Sequence, residues 1–593
     1  MRPTGTFTWP APARGWLVSG NITQAPIDAA ERLDNFFPTA EGATLRKGCT
    51  KHATIDATGV RFFQWVSGDA SALFAATASD IFEISSPADA DTAPTATLTG
   101  LGSGDWSSVQ FGVSGGEYTI AVNGTDDAVI YDGTDLNPIT SVAVNDLGYD
   151  AQTGAFTVGQ TVTGGTSGAT AEILAIAPTS ATAGTLKLGT ITGTFQDNEA
   201  LTDPITGAAT ANGTASVGSS LTITGQGTDT FSQVFTHKQR VFFIEKGTLS
   251  AWYLPAASIA GAATELNLSG VFSEGGSLLF GANWSLDSGS GLDDKAVFVT
   301  DQGEVAVYSG TDPSSASTWS LDGVYRIGPP VDKHGHFALG GDLMLVTQDG
   351  IVPVSQAVSR DYQAVVAGAL SAPIEDEWQR RISQASSSEP VAVAHWRSRG
   401  QVFVSVPGKV EGLAQTFVAN SRIKAWCRYL GWTINAAVVF EDQFYFADRS
   451  GVVFRGEIGG TDNGTAYSGY LVPKFSDMGT PDNKFANHVG LVARATVQVT
   501  WSASVFRNYA TKAITAPATL PTPPSDATWG TGVWGTSVWG GSDDELIGQQ
   551  RWKTAGGSGF ALAPAIAVTS NSTAAPRVDV TALRMRYEVG SVL

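Results

Sequence analysis

YTIAVNGTDDAVIY, residues Tyr118 to Tyr131, is two short runs of β-branched and aromatic residues around an Asn-Gly and Asp-rich turn, the chemistry of a tight antiparallel hairpin. The pattern returns at Phe74 to Ile84 (FAATASDIFEI), Arg240 to Tyr253 (RVFFIEKGTLSAWY), Val297 to Tyr308 (VFVTDQGEVAVY), Leu343 to Val354 (LMLVTQDGIVPV) and Phe444 to Phe454 (FYFADRSGVVF). A longer-looped copy runs from Val402 to Tyr429. Four strands in about 45 residues is the period of a β-propeller. Repeats this divergent also fit a large β-sandwich; the period favours the propeller.

Between 141 and 218 the composition turns to Thr, Gly and Ala, and removing this stretch restores the spacing of the flanking hairpins. It holds its own repeat: Phe156, Thr163 and Gly168 align with Phe195, Thr202 and Gly207 at one constant offset. Two such units can bury one face against each other, which neither does alone.

The expected fold is therefore mainly β: a propeller, a small inserted β domain and a β-sandwich or platform domain. Residues 1–60 form an N-terminal arm or platform strands, 61–140 the first blades, 141–218 the insertion, 219–460 the remaining blades and 461–593 the C-terminal platform. One convincing helix is expected near 373–384, with Ser371 as its cap, Pro373 in its first turn, and Ile374, Trp378 and Ile382 on one face. In the closing strand the apolar alternation Val578, Val580, Ala582 jumps phase to Leu583, Met585, Tyr587, which predicts a bulge.

Charged residues make up 15% of the chain and the net charge is −20, which argues against sequence-independent nucleic-acid binding, since that affinity comes from Lys and Arg displacing counterions. An acidic balance still suits a surface past which DNA slides without sticking. A solubilising surface charge is the plainer explanation. No apolar run reaches the length of a membrane span, and the N-terminus lacks a secretory signal's apolar stretch, so manufacture in a cytoplasm is expected. Cys49 and Cys427 make no disulfide framework.

Catalysis needs polar groups converging in a pocket, and the sequence offers none: no catalytic, cofactor-binding or metal-binding set is expected. His334 and His336 lack a nearby third ligand. Asp287 to Asp294 is dense in carboxylates but has Phe298 where an EF-hand needs Glu. Asp132, Asp301, Asp349 and Asp448 sit at hairpin turns, where Asx residues bond their own backbone. Trp529, Trp534 and Trp539 recur every five residues, each before Gly. They suit packing within their own domain, a subunit interface or glycan stacking. Asp543, Asp544 and Glu545 follow them as candidate channel-lining acids.

Four stretches together resemble the tail nozzle proteins of short-tailed bacteriophages, also called tail tubular protein B or packaged-DNA stabilisation proteins. They are LDNFFPTAEGATLRKGCTKHAT, the hairpin YTIAVNG to VIYDGT, the run VAVYSG to GPPVDKHGHFALGGDLMLVTQDGIVPVS, and YLVPKFSDMG with RVDVTALRMRYEVG. The likeness spans most of the chain in order, although each motif is structural, and the 141–218 insertion departs from the family core.

The resemblance implies a structural virion protein, not an enzyme, and no cofactor. It implies a homo-hexameric ring below the portal and adaptor complex, tail fibre or spike neighbours, and double-stranded DNA passing without sequence-specific contact. Assembly in the host bacterial cytoplasm follows. A ring of six would carry a net charge of about −120, so Arg and Lys are expected at the seams. The alternative is a host-receptor protein that binds glycan on a propeller scaffold.

Overall fold

The hairpin turns shape the chain first. At His237–Arg240 and Phe440–Gln443 the strands are joined by two residues whose φ is positive in both cases, Lys238 (44°) with Gln239 (60°) and Glu441 (47°) with Asp442 (55°). That is the mirror-image turn whose twist matches paired strands, built here without glycine. The structure is a computed structural model. It describes residues 4–590 except 22, 56–57, 114–115, 288–291, 386–390, 409–414, 497–498, 511–512, 518–546 and 573–574. The protein is mainly β, and its chain divides into two compact units.

The unit of Ala53–Gln348 and Val352–Val365 contains four antiparallel four-stranded sheets, each a simple meander in chain order. Their first strands are Arg61–Ser67, Ser107–Val113, Phe231–His237 and Leu278–Asp287. Inner strands such as Arg240–Glu245 are buried on both faces, because successive sheets stack face to face. Phe63, Trp65 and Phe74 of the first sheet pack on Val129 and Tyr131 of the second. Phe111, Ile120 and Ile130 of the second meet Phe231, Val241 and Phe243 of the third. Phe235, Phe242 and Tyr253 of the third meet Phe298, Tyr308 and Trp319 of the fourth. The hairpin His336–Leu339 with Asp342–Thr347 follows.

Strands from Ala143 to Ser220 close on themselves, while Val144, Leu174 and Ala175 pack with the second and third sheets. Ala143–Gly154 pairs with both Gly184–Leu188 and Ala208–Ala211, so six strands close into a barrel and Ser216–Ser220 lies outside the ring. Its core holds Leu147, Tyr149, Phe156, Val162, Ile173, Leu186, Phe195 and Leu201. The internal repeat explains the closure. Thr163 and Thr202, equivalent positions of the two copies, are direct cross-strand partners, so a local twofold axis passes between Thr161–Gly164 and Ala200–Thr202. Gly168 is needed for its φ of +66°, while Gly207 is needed for space, since a Cβ there would stand 2.4 Å from the Phe156 ring.

The other unit comprises Met1–His52, Asp349–Ile351 and Val366–Leu593. One eight-stranded sheet runs Ala392–Trp396, Gln401–Val406, Gln415–Asn420, Trp426–Tyr429, Ala30–Asp34, Tyr467–Pro473, Leu562–Ser570, Trp501–Arg507. A six-stranded sheet combines Thr4–Pro10, Phe36–Pro38 and Ala43–Leu45 with Val578–Val589, Lys484–Ala495 and Ile547–Gly559. Cys49–Thr54 edges a third sheet with Ala436–Phe440, Gln443–Ala447 and Val452–Gly456. The N-terminal strands thus enter three sheets. The bulge in the closing strand falls at Thr581, where the ladder steps from Val492↔Ala582 to Ala493↔Val580. There the strand also changes edge partner, from Pro10 at Ala582 to Ala43 at Val580.

The helical expectation needs two corrections. The helix is Glu375–Ser383, preceded by a 3₁₀ turn at Ala372–Ile374, and Ser371 does not cap it; its hydroxyl accepts from the Ile351 N–H at 3.0 Å. Two more helices, Val354–Ser359 and Tyr362–Ala367, were not expected. Six residues are too few for an apolar period to be read.

Two carboxylates lock the barrel turns. Glu199 accepts from the N–H groups of Gln196, Thr166 and Ser167 (2.6, 3.1 and 2.9 Å), and Asp203 from those of Ile205, Thr206, Gly207 and Thr157. Burial opposes their ionisation, but these hydrogen bonds outweigh it and hold both carboxyls below their ordinary range. Their contribution is therefore complete at neutral pH and is lost as pH falls through the depressed folded values. Glu199→Gln and Asp203→Asn should each destabilise the barrel by roughly 1–3 kcal/mol at pH 7. Amide exchange between Thr161 and Ala211 reads this out, and the gap to wild type should close in acid.

Candidate functional site

Buried ionisable groups gather at two nodes, one in each unit. In the first, Arg46 is sealed from solvent with an exposure of 0% for its side chain. Its Nε donates to Asn35 Oδ1 at 2.9 Å. Nη1 donates to Lys47 O and Asp462 Oδ1, both at 2.8 Å, and Nη2 to Leu430 O at 2.9 Å and Asp462 Oδ2 at 2.7 Å. All five guanidinium protons are used. The rings of Tyr467, Trp432 and Tyr429 stand 4.1, 4.5 and 5.6 Å from the guanidinium carbon, close enough for cation–π attraction. Burial alone would lower the Arg46 pKa; the bidentate Asp462 outweighs it and raises it.

Asn35 completes this node. It adopts a φ of 58° and donates Nδ2–H to Ser468 O, while its Oδ1 also accepts from the Leu430 N–H. The Tyr467 hydroxyl donates to Arg46 O. Nearby, burial pushes the Glu457 carboxyl up, against hydrogen bonds from Tyr429 and the Lys47 N–H. Burial, reinforced by the Asp462 charge, pushes the Cys49 thiol up to about 12, and burial also raises Cys427 well above its ordinary value. Neither thiol is poised as a nucleophile.

The second node centres on Lys333. Its ammonium donates to Asp105 O (2.9 Å), Ser232 O (2.7 Å) and Asp105 Oδ2 (2.8 Å), which uses all three protons. Asp105 also meets His334 Nε2 at 2.9 Å. Burial opposes ionisation of Asp105, yet His334 and Lys333 hold its carboxyl far below the ordinary range. Burial lowers Lys333, His334 and Arg61, the last beside Asp332 and Asp105. The His336 ring stacks on Phe280 at 4.6 Å and its Nδ1 meets Lys333 O; burial, reinforced by His334, brings its pKa down to about 4.

Chemically, both nodes tie chain segments together. Lys333 and Arg46 keep no free proton with which to polarise a substrate. Among the described residues no three His, Cys, Asp or Glu side chains gather as metal ligands. Asp132 and Asp448 accept from N–H groups of their own turns; Asp301 instead binds Ser277. Trp529, Trp534, Trp539, Asp543, Asp544 and Glu545 lie outside the described residues. The node residues carry no sequence signal beyond a charge inside an apolar stretch, because their partners are far away in the chain.

No family model matches the chain, and no curated protein matches it. Solved structures similar to it include apo AztD from Citrobacter koseri, at 12% identity over 62% of this chain and 84% of that one, TM-score 0.26. A putative 6-phosphogluconolactonase from Bacteroides fragilis is 11% identical over 59% of this chain and 92% of its own, TM-score 0.25. YCF48 bound to D1 peptide is 9% identical over 69% and 97%, TM-score 0.24.

Two predictions follow from the nodes' geometry. Arg46→Met strands the Asp462 carboxylate and should cost about 3–5 kcal/mol in chemical denaturation, with Arg46→Met/Asp462→Leu recovering part of the loss. His336 is held neutral, so its contribution is complete above its ordinary value of 6.5 and is lost as pH falls toward about 4. His336→Phe keeps the stack on Phe280 but removes the proton. Its stability should fall less steeply over that window, by about one proton's worth of slope.

Proposed function

We propose that this chain is a structural subunit of a short-tailed phage's tail nozzle, acting by shape and assembly instead of bond-making. In this reading the stacked four-stranded sheets are blades of a β-propeller and the strand-rich unit of Met1–His52 and Val366–Leu593 is the platform, which takes in residues 366–460, expected from the sequence as blades. Six copies form a ring that extends the portal and adaptor channel, borders tail fibres or spikes, retains packaged DNA and conducts it during ejection. The protein assembles in the host bacterial cytoplasm and resides in the virion tail.

One observation carries the reading. The central residues of both ionic nodes fall inside stretches on which the family resemblance rests, Asn35 and Arg46 in LDNFFPTAEGATLRKGCTKHAT and Lys333, His334 and His336 in GPPVDKHGHFALGGD, while their partners Asp462, Asp105 and Ser232 lie outside them. The most constrained polar residues of these motifs are spent on holding strands, as a load-transmitting ring needs. The net charge of −20 suits a conduit that repels DNA's phosphates.

Cryo-electron microscopy of virions carrying an epitope tag on this chain tests the reading. Sixfold label density below the portal and adaptor is the expected result. Virions complete without the chain, or label confined to a peripheral receptor-binding fibre, would contradict it.

A further inference from the structure

The charge of this protein is unevenly divided. The unit of Ala53–Gln348 and Val352–Val365 holds 9 Lys and Arg against 32 Asp and Glu, whereas the other unit holds 26 against 23. Six of those nine cations are already paired with acids: Lys187, Lys238, Arg240, Lys295, Arg326 and Lys333. The acidic unit therefore has few cations left to neutralise its own surface.

The other unit carries a surface of opposite character. In its six-stranded sheet, Leu583 and Met585 face the core with Trp9, Val489 and Leu491. Alternate residues point outward, and cross-strand partners share a face. One row aligns Thr6, Arg586, His488 and Thr554; the next aligns Thr8, Arg584, Gly490 and Trp552. Arg586 lies over the Trp552 ring at 4.5 Å. Phe485, in the row beyond, is 46% exposed.

Neither Arg584 nor Arg586 has a carboxylate partner among the described residues. Glu588, at the end of the face, instead accepts from Asn487. An exposed Phe485, a half-buried Trp552 and two arginines without carboxylate partners match the composition of an interface core, where Arg and aromatics are enriched and Lys is not.

We propose that this outward face, centred on Arg584, Arg586, His488, Trp552 and Phe485, docks on the acidic surface of a second copy of the chain. The contact is heterologous, one patch against a different patch, which is the kind that builds a ring where the rotation between copies closes. It gives the proposed nozzle ring its seam and rests on that reading only for the number of copies. Charge complementarity selects this occupant, because the chain itself supplies a surplus of acid.

Sedimentation velocity of the full chain over a concentration series, at about 50 mM and about 500 mM salt, tests the proposal. Self-association that weakens with salt is expected, and Arg584→Glu/Arg586→Glu should weaken it by about tenfold or more at unchanged melting temperature. Arg584→Gln/Arg586→Gln should fall between, and Arg14→Glu/Arg422→Glu, an equal charge change elsewhere, should leave association intact. A chain that stays monomeric throughout, or one whose association ignores the Arg584 and Arg586 changes, overturns the proposal. So does a double variant that loses only binding to a short DNA duplex, which would make nucleic acid the occupant. The tagged-virion experiment is independent of these outcomes, so a failed seam and a failed nozzle reading are told apart.

Discussion

Burying a guanidinium is costly unless its N–H groups find acceptors, because an unpaired buried donor costs more than the hydrogen bond it lacks. Arg46 meets that condition with acceptors from residues 35, 47, 430 and 462. None of these positions satisfies it alone. The node therefore forms only when the N-terminal strands, the segment after Trp426–Tyr429 and the turn before Tyr467–Pro473 are all in place. The same logic acts at Asp34, which is buried and receives Arg32 Nε at 2.5 Å and Arg428 Nε at 2.8 Å. That pair of contacts fixes Ala30–Asp34 beside Trp426–Tyr429, the one parallel junction in an otherwise antiparallel sheet. Removing one partner of such a buried pair leaves an uncompensated charge, which costs more than the intact pair contributes.

In the other unit the organising force is apolar. Strands buried on both faces need a neighbour on each side, and stacking of similar sheets supplies it with rings such as Phe74 on Tyr131 and Phe235 on Phe298. Polar groups then set register locally: Gln233 exchanges two hydrogen bonds of 3.0 Å with the Gly281 backbone, and His237 meets Asn283 at 2.7 Å. Lys333 reaches across to Asp105 and Ser232. The inserted barrel solves the same burial problem differently, by wrapping two copies of one motif around a shared core.

The legible parts of the fold were those with a short-range signal. Hairpins such as Tyr118–Tyr131 pair two-residue periodicity with turn chemistry, and the phase jump at Val580–Leu583 marked the bulge at Thr581 directly. The barrel's repeat was readable because equivalent residues stayed in register. What the residues did not announce was long-range. No local pattern says that Thr4–Pro10 pairs with Val578–Val589, or that Arg46 meets Asp462. Lys238-Gln239 and Glu441-Asp442 lack the glycine usual in such turns, yet adopt left-handed turns because the flanking strands impose them. The candidate tryptophans and channel acids rest on composition and spacing alone. The ionic nodes went unseen because a buried charge is recognised by its partners, and these lie hundreds of residues away.

The central claim is that the N-terminal strands are integral members of the sheets, held by the Arg46 node. Hydrogen–deuterium exchange of the full chain measures this directly. The account predicts that amides of Thr4–Pro10, Ala30–Asp34 and Ala43–Leu45 exchange as slowly as those of Tyr467–Pro473 and Val578–Val589, through one cooperative opening. Exchange of the N-terminal strands orders of magnitude faster, as an arm that opens on its own, would contradict it.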